Sequence, residues 1–206
     1  EARLLALSDH LLAVKVPWPG AQRMWRARIA RIAGLFVAAE AIRAARGHPV
    51  VLEEKGAVLV DESGFTLTAR PDRIDLLADG RVHIYDYKSG NPPSPKQQRS
   101  FDKQLLLEAA MAERGAFGAI GPCTVEGATY IRLGGGGREA RVEISPEILD
   151  ETWRSLGRLI AAFGRAATGY TSRRAMFGAN SAGDYDHLAR FGEWEMASPS
   201  FPEDVG

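Results

Sequence analysis

Cysteine is almost absent from this sequence, since Cys123 is the single one among 206 residues. One cysteine excludes an internal disulfide, a four-cysteine zinc site and a four-cysteine iron–sulfur cluster. The sequence also lacks any apolar run near the roughly 20 residues that a membrane-spanning helix needs. Its first residues lack an initiator Met and the basic-then-apolar order of a signal peptide. We therefore expect a part of a longer, cytoplasmic protein.

Neither sign of charge is in excess overall, because 26 basic and 26 acidic residues cancel. On that count a nucleic-acid partner is disfavoured, since domains that bind nucleic acids usually carry a basic surplus. The charge is unevenly distributed, however. Residues 1–47 hold eight Lys or Arg against three Asp or Glu, whereas residues 146–206 hold six against nine. With 45% hydrophobic residues, the chain is predicted to be globular, with a basic N-terminal surface.

We predict one domain over residues 1–206, built in three parts. Residues 1–47 form a helical N-terminal part, residues 48–145 form an α/β core, and residues 146–206 form a C-terminal helix and a docking tail. The change from helical to strand-like periodicity near Pro49 marks the start of the core. A loss of periodicity after Gly169 marks the start of the tail.

The N-terminal part is predicted to contain a short amphipathic helix, ended by Pro17 and Pro19, and then a longer helix. We expect the apolar stripe of the longer helix to lie in the core: Trp25, Ile29, Ile32, Phe36, Ala39 and either Ile42 or Arg43. Four arginines cover much of its remaining surface, either as a solvated face or as a phosphate-binding one: Arg23, Arg26, Arg28 and Arg31.

The core is predicted to contain two hairpins separated by a helix. Asp79-Gly80 between two apolar runs indicates the first tight turn, and the four glycines at 134–137 indicate the second. The predicted strands are 50–52, 57–60, 65–68, 74–77, 82–87, 124–133 and 139–144. The predicted helices cover 101–114 and the segment from Pro146 to Phe163.

Two charged residues, Asp86 and Lys88, lie at the end of the strand predicted over 82–87. Side chains alternate across a strand, so Asp86 and Lys88 project from one face, with about 7 Å between their backbone positions. Val82 and Ile84 share that face, which makes the two charges a continuation of an apolar stripe. Charges at the end of a buried face are unfavourable unless they are paired or bind an ion.

The first hairpin brings a second carboxylate, from Asp72 or Asp75, against Asp86. Neighbouring carboxylates repel, and a divalent cation relieves the repulsion. Oxygen ligands with open positions suit Mg²⁺ or Mn²⁺, which would polarise a phosphodiester and help to generate hydroxide, while Lys88 orients the water or stabilises negative charge. The alternative is a surface hairpin with an Asp86–Lys88 ion pair worth under about 1 kcal/mol.

A family resemblance favours the phosphodiesterase site. Pro71-Asp72, thirteen residues, and then Asp86-Tyr87-Lys88 resemble the signature of PD-(D/E)XK nucleases. The helix sequence QLLLEAA, which starts at Gln104, is similar to that of RecB-like exonuclease domains, and most similar to the C-terminal nuclease domain of bacterial AddB subunits. The resemblance implies an α/β fold with a central mixed sheet flanked by helices.

The resemblance also implies roles for particular residues. Asp72 and Asp86 would be ligands of Mg²⁺ or Mn²⁺, Lys88 the catalytic lysine, and Gln104 the glutamine beside the site. An acidic residue on the preceding strand would complete the metal site, either Glu53 or Glu54, with Glu53 favoured by its spacing to Gly56. The implied function is Mg²⁺-dependent DNA cleavage in double-strand break repair, with an AddA-type helicase subunit as partner and no iron–sulfur cluster. The arginines implied to guide DNA are Arg23, Arg26, Arg28, Arg31, Arg173 and Arg174.

The chain departs from the family pattern at two further positions. The usual metal-ligand histidine follows a glycine by four residues, whereas His10 follows Ala6 and is expected on a helix surface. Glu108 stands where a tyrosine often follows the glutamine, and it either extends the metal site or faces solvent. The missing histidine leaves two alternatives to an AddB nuclease. One is an inactive nuclease fold that docks DNA or AddA, and the other is a different RecB-like exonuclease.

Overall fold

The computed structural model describes residues 1–60, 64–134, 137–169, 186–188, 190 and 193. Within these residues the helices are α1 (Ala2–Lys15), α2 (Pro19–Arg46), α3 (Pro95–Ser100), α4 (Gln104–Glu113) and α5 (Pro146–Phe163). The strands are β1 (Gly47–Leu52), β2 (Gly56–Val60), β3 (Phe65–Ala69), β4 (Arg73–Leu77), β5 (Val82–Lys88), β6 (Val125–Arg132) and β7 (Glu139–Val142).

Five of the described strands form one mixed sheet in the order β1-β4-β5-β6-β7. The β4–β5 pair is the antiparallel hairpin that Asp79-Gly80 predicts, with Leu76 opposite Val82. Strand β6 is parallel to β5 and antiparallel to β7. A parallel connection needs a crossover, which α3 and α4 supply. The predicted α/β class, with a central mixed sheet flanked by helices, is confirmed.

Helices α2 and α4 cover opposite faces of this sheet. Ile84 is fully buried and shares its face with Asp86, whose carboxylate contacts Gln104 at the start of α4. Tyr85 has the opposite parity, and the Arg43 guanidinium of α2 lies over its ring, 5.8 Å from the centroid. Strand alternation therefore separates a face under α4 from a face under α2.

The apolar stripe predicted for α2 is buried over part of its length. Ile29, Ile32, Phe36 and Ala39 are half-buried and Arg43 is buried, whereas Trp25 is 38% exposed and Ile42 is 68% exposed. The prediction that Trp25 lies in the core is wrong, because this part of α2 lies beside α1, where Arg26 pairs with Asp9. Of the two candidates at the end of the stripe, Arg43 is the inward one, where Glu139 accepts from it at 2.5 Å.

Strand β1 begins earlier than predicted. It includes His48 and Pro49, although a proline interrupts the hydrogen-bond ladder of a sheet. The edge position of β1 tolerates this, and the pairing with β4 is irregular between Pro49 and Val51. The strand therefore reaches from the end of α2 to the turn at Glu53.

Helix α3 was not predicted, although its start carries a recognisable signal. Ser94 caps the helix by accepting from the Gln97 backbone N–H, while the Gln97 side chain accepts from the Ser94 backbone N–H. Pro95 fits the first turn of a helix, where its missing N–H is not needed.

The chain divides into two compact units, Glu1–Arg154 and Ser155–Gly206. The first unit contains the sheet, both covering helices and the residues that the sequence assigns to the metal site. The organisation of residues 1–206 as one domain stays a prediction. None of the helices in the described ranges combines the length and the apolar character needed to cross a membrane.

Candidate functional site

Three predicted site residues meet where β5 ends beside α4. The Lys88 Nζ lies 2.9 Å from Asp86 Oδ2 and donates to Asp86 Oδ1 at 3.1 Å. It also donates to Gln104 Oε1 at 3.0 Å, while Gln104 Nε2 donates to Asp86 Oδ1 at 2.7 Å. A carboxylate, an ammonium and an amide thus hold one another in fixed positions. Asp86 is 3% exposed, so its charge lies in a poorly solvated environment.

Asp72 joins the same strand end, whereas Asp75 does not. The Asp72 Oδ2 accepts from the Tyr87 backbone N–H at 2.7 Å. Asp75 has the parity of the opposite face and is buried against Arg73, which donates to its two oxygens at 2.5 and 2.6 Å. Asp75 therefore has the structural role of an ion-pair partner, and of the two alternatives the structure brings Asp72 to Asp86.

The structure does not bring Glu53 into this cluster. Strand β1 ends at Leu52, and Glu53 has a φ of 48°, so its side chain leaves the alternation of the strand. That side chain is 68% exposed and pairs with Arg70 at 3.2 Å, and Glu54 is exposed as well. Among the residues described, no three His, Cys, Asp or Glu side chains are grouped to hold a metal ion. The expected convergence of Asp72, Asp86 and Glu53 is thus corrected.

Glu108 enters the cluster from α4, one turn after Gln104. It is 4% exposed, and its Oε1 accepts from Gln104 Nε2 at 3.2 Å. The pKa of Glu108 is raised to about 7, chiefly by burial and also by the charges of Asp86 and Asp72, while Gln104 and Lys88 act in the opposite direction. The sequence places Glu108 beside the glutamine but leaves open whether it faces the site or solvent.

Two oxygens of the cluster are buried without a hydrogen-bond partner. One is Glu108 Oε2 and the other is Asp86 Oδ2, which has the Lys88 ammonium at ion-pair distance but outside hydrogen-bond geometry. Buried carboxylate oxygens are unfavourable unless they are satisfied. Hard oxygen donors in such a state are what Mg²⁺ or Mn²⁺ binds. The donor set therefore fits a divalent cation held by one or two carboxylates and completed by water and phosphate oxygens.

Tyr130 is a site neighbour that sequence reasoning missed. It lies on β6 opposite Asp86 and is 1% exposed. The Lys88 Nζ lies 5.5 Å from the centroid of its ring. Its hydroxyl donates to Asp102 Oδ1 at 2.7 Å, and burial together with this bond raises the pKa of Tyr130. The parallel pairing of β5 with β6, which no local pattern reveals, places this ring beneath the lysine.

The arginines predicted to guide DNA lie on the exposed surface of α2. Arg26 pairs with Asp9 at 2.7 Å, and Arg28 lies 5.0 Å from the centroid of the Trp25 ring. Arg23 and Arg31 are exposed. Arg173 and Arg174 lie outside the described residues.

The direction of α2 places these arginines near the end of the sheet that carries the site. Phe36 lies beside Tyr87, whereas Arg43 lies over Tyr85, so α2 runs antiparallel to β5. Its N-terminal half therefore extends past the carboxyl end of β5, where Lys88 lies. Helix α2 itself covers the face opposite Asp86.

The histidines take no part in the cluster. His83 points away from Asp86, as its strand parity predicts, and contacts Glu126 at 2.7 Å and Thr129 at 2.9 Å. Burial lowers the pKa of His83, although the Glu126 carboxylate acts in the opposite direction. His10 is exposed on α1, as expected for a surface helix residue.

Comparison with protein families finds a match for this chain. The model of the PD-(D/E)XK nuclease superfamily matches residues 1–177, which include every described element. A comparison with curated proteins finds none that matches.

Proposed function

Because the chain belongs to the PD-(D/E)XK nuclease superfamily, we propose that it is a Mg²⁺-dependent deoxyribonuclease domain that hydrolyses phosphodiester bonds. The observation that carries this proposal is the network of Asp86, Lys88 and Gln104 beside Asp72. It combines carboxylate oxygens for a cation with a fixed ammonium donor. A surface ion pair would not need the buried position of Asp86 or the contact with Gln104.

Each residue has a part in this chemistry. Asp72 and Asp86 would hold Mg²⁺ or Mn²⁺, which would polarise the phosphodiester and lower the pKa of a bound water. Lys88 is oriented by Asp86 and Gln104, so its ammonium points at a fixed position near the metal ligands. There it hydrogen-bonds the attacking water or stabilises the negative charge that develops on the phosphate. Gln104 holds the Lys88 ammonium and the Asp86 carboxylate in their relative positions by a hydrogen bond to each.

The finer assignment rests on the likeness of the sequence to RecB-like exonucleases. We propose that residues 1–206 act in the cytoplasm as the nuclease domain of an AddAB-type helicase–nuclease in double-strand break repair, with an AddA-type helicase subunit as partner. Exposed Arg23 and Arg31 support a DNA path past the carboxyl end of β5. Basic side chains along such a path bind the phosphate backbone without regard to sequence.

Cleavage assays with a matched lysine pair test the proposal. The purified chain is incubated with single-stranded or duplex DNA in Mg²⁺, in Mn²⁺ or in EDTA. We expect cleavage that needs the metal and falls by about 100-fold or more in Lys88→Ala, because an oriented donor is lost. Lys55→Ala, which removes an exposed lysine between β1 and β2, is the control and should retain activity.

The same experiment separates the alternatives. Cleavage by Lys88→Ala at the wild-type rate would refute the assignment of Lys88 to the catalytic site. A chain that binds DNA but neither cleaves it nor binds Mn²⁺ would instead be a docking module with a nuclease fold.

A further inference from the structure

Helix α4 places a second buried carboxylate against the site of Asp86. Glu108 is 4% exposed and Asp86 is 3% exposed, and each has one oxygen buried without a hydrogen-bond partner. Burial of two acidic groups side by side is unfavourable because neither charge is solvated and the two repel. Lys88 pairs with Asp86, but no cation is in contact with Glu108 among the described residues. When all three carboxylates are ionised, Asp72, Asp86 and Glu108 carry two more negative charges than the single Lys88 ammonium neutralises.

Gln104 orients the carboxylates of Asp86 and Glu108. Its Nε2 donates to Asp86 Oδ1 at 2.7 Å and to Glu108 Oε1 at 3.2 Å, so these two oxygens lie within 5.9 Å of each other. The amide thereby uses one oxygen of each carboxylate. Glu108 Oε2 is left without a hydrogen bond, and Asp86 Oδ2 has only the Lys88 ammonium, at an ion-pair distance of 2.9 Å. A divalent cation is the partner that two hard, unsatisfied oxygens in one poorly solvated place require.

Glu53 lacks each of these properties. Its side chain is 68% exposed and is engaged by Arg70 at the surface. A solvated carboxylate that already has a guanidinium partner gains little from a cation. The acidic ligand expected on the strand before Asp72 is thus better supplied by the helix after Lys88.

Resting on the proposed function, we propose that Glu108 is a ligand of the divalent cation and occupies the role that the sequence assigns to Glu53. Glu108 would then share the ion with Asp86 and Asp72, the carboxylates that the proposed function assigns to it. Carboxylates with water and phosphate oxygens are a common coordination for Mg²⁺.

Direct titration with Mn²⁺, followed by calorimetry and by the electron paramagnetic resonance of the free ion, tests the proposal without any substrate. Glu108→Gln keeps the size of the side chain and the contact of its amide oxygen with Gln104. We expect it to weaken Mn²⁺ binding by about 10-fold or more, and Glu108→Asp to lie between Glu108→Gln and the wild type. Glu53→Gln is the matched control and should change the affinity by less than about twofold, since its side chain lies outside the cluster.

The outcomes separate this inference from the proposed function. If the wild type binds Mn²⁺ and Asp86→Asn abolishes binding, but Glu108→Gln binds as the wild type does, the role of Glu108 is refuted while the nuclease proposal stands. Weakening by Glu53→Gln instead would restore the residue favoured by the sequence. A wild type that binds no Mn²⁺ and cleaves no DNA overturns both. Thermal unfolding in EDTA confirms that each variant is folded before it is titrated.

Discussion

Raising the pH should destabilise the metal-free protein through Glu108. Burial raises the pKa of this carboxyl from 4.5 to about 7. Between these two values the folded chain binds more protons than the unfolded chain, so the free energy of unfolding falls as the pH rises. Each pKa unit corresponds to about 1.4 kcal/mol, so the full shift is worth up to about 3 kcal/mol. This contribution is intact below about pH 4.5 and is lost above about pH 7.

Urea unfolding in EDTA, from about pH 4 to pH 8, measures the effect. Glu108→Gln carries no titratable group, so it should match the wild type near pH 4 and be more stable by up to about 3 kcal/mol near pH 8. Glu53→Gln controls for the removal of a carboxylate and, being exposed, should change stability by less than about 0.5 kcal/mol. A difference between wild type and Glu108→Gln that does not vary with pH would refute the burial of an unsatisfied carboxylate at this position.

Three further substitutions test the packing around the site by urea unfolding at neutral pH. Arg73→Ala should destabilise the protein by about 3–5 kcal/mol, because it leaves the buried Asp75 charge without a partner, and a smaller loss would place Asp75 in solvent. Ile84→Ala should cost about 2–5 kcal/mol, since the side chain is fully buried beneath α4, and an unchanged midpoint would contradict that burial. Tyr130→Phe should cost about 1 kcal/mol by removing the bond to Asp102 while keeping the ring beneath the lysine, and the substitution should be neutral if that bond is absent.

The sequence predicted the hairpin and the strand faces of the site, because alternation and turn chemistry are local. Asp79-Gly80 predicts a tight hairpin, and the observed register pairs Leu76 with Val82 and Asp75 with His83. Continued by three residues, this register sets Asp72 opposite Asp86. Asp75 lies opposite His83, whose side chain points away from the site, so this register excludes Asp75 as a metal ligand. The sequence left the choice between Asp72 and Asp75 open because it does not by itself establish the register.

The burial of individual helix residues could not be predicted from local sequence patterns. The stripe on α2 is regular along the whole helix, yet Trp25 is exposed and Arg43 is buried, because different parts of α2 pack on different elements. A period of three or four residues reports which side of a helix is apolar, not where along the helix a partner lies. Arg43 is buried since Glu40 and Glu139 neutralise it, which is a tertiary property.

Glu53 and Glu108 also show that local sequence patterns do not report which residues the fold brings to the site. Glu53 precedes the aspartates in the chain and matches a family spacing, but the left-handed turn after β1 carries it to Arg70. Glu108 follows Gln104 by one helical turn, so the contact that orients Gln104 toward Asp86 also turns Glu108 toward the site. A helix that is anchored by one site residue thus delivers the residue four positions later to the same place. The acidic ligand is therefore better sought on the element that the glutamine already fixes than on the strand that a spacing suggests.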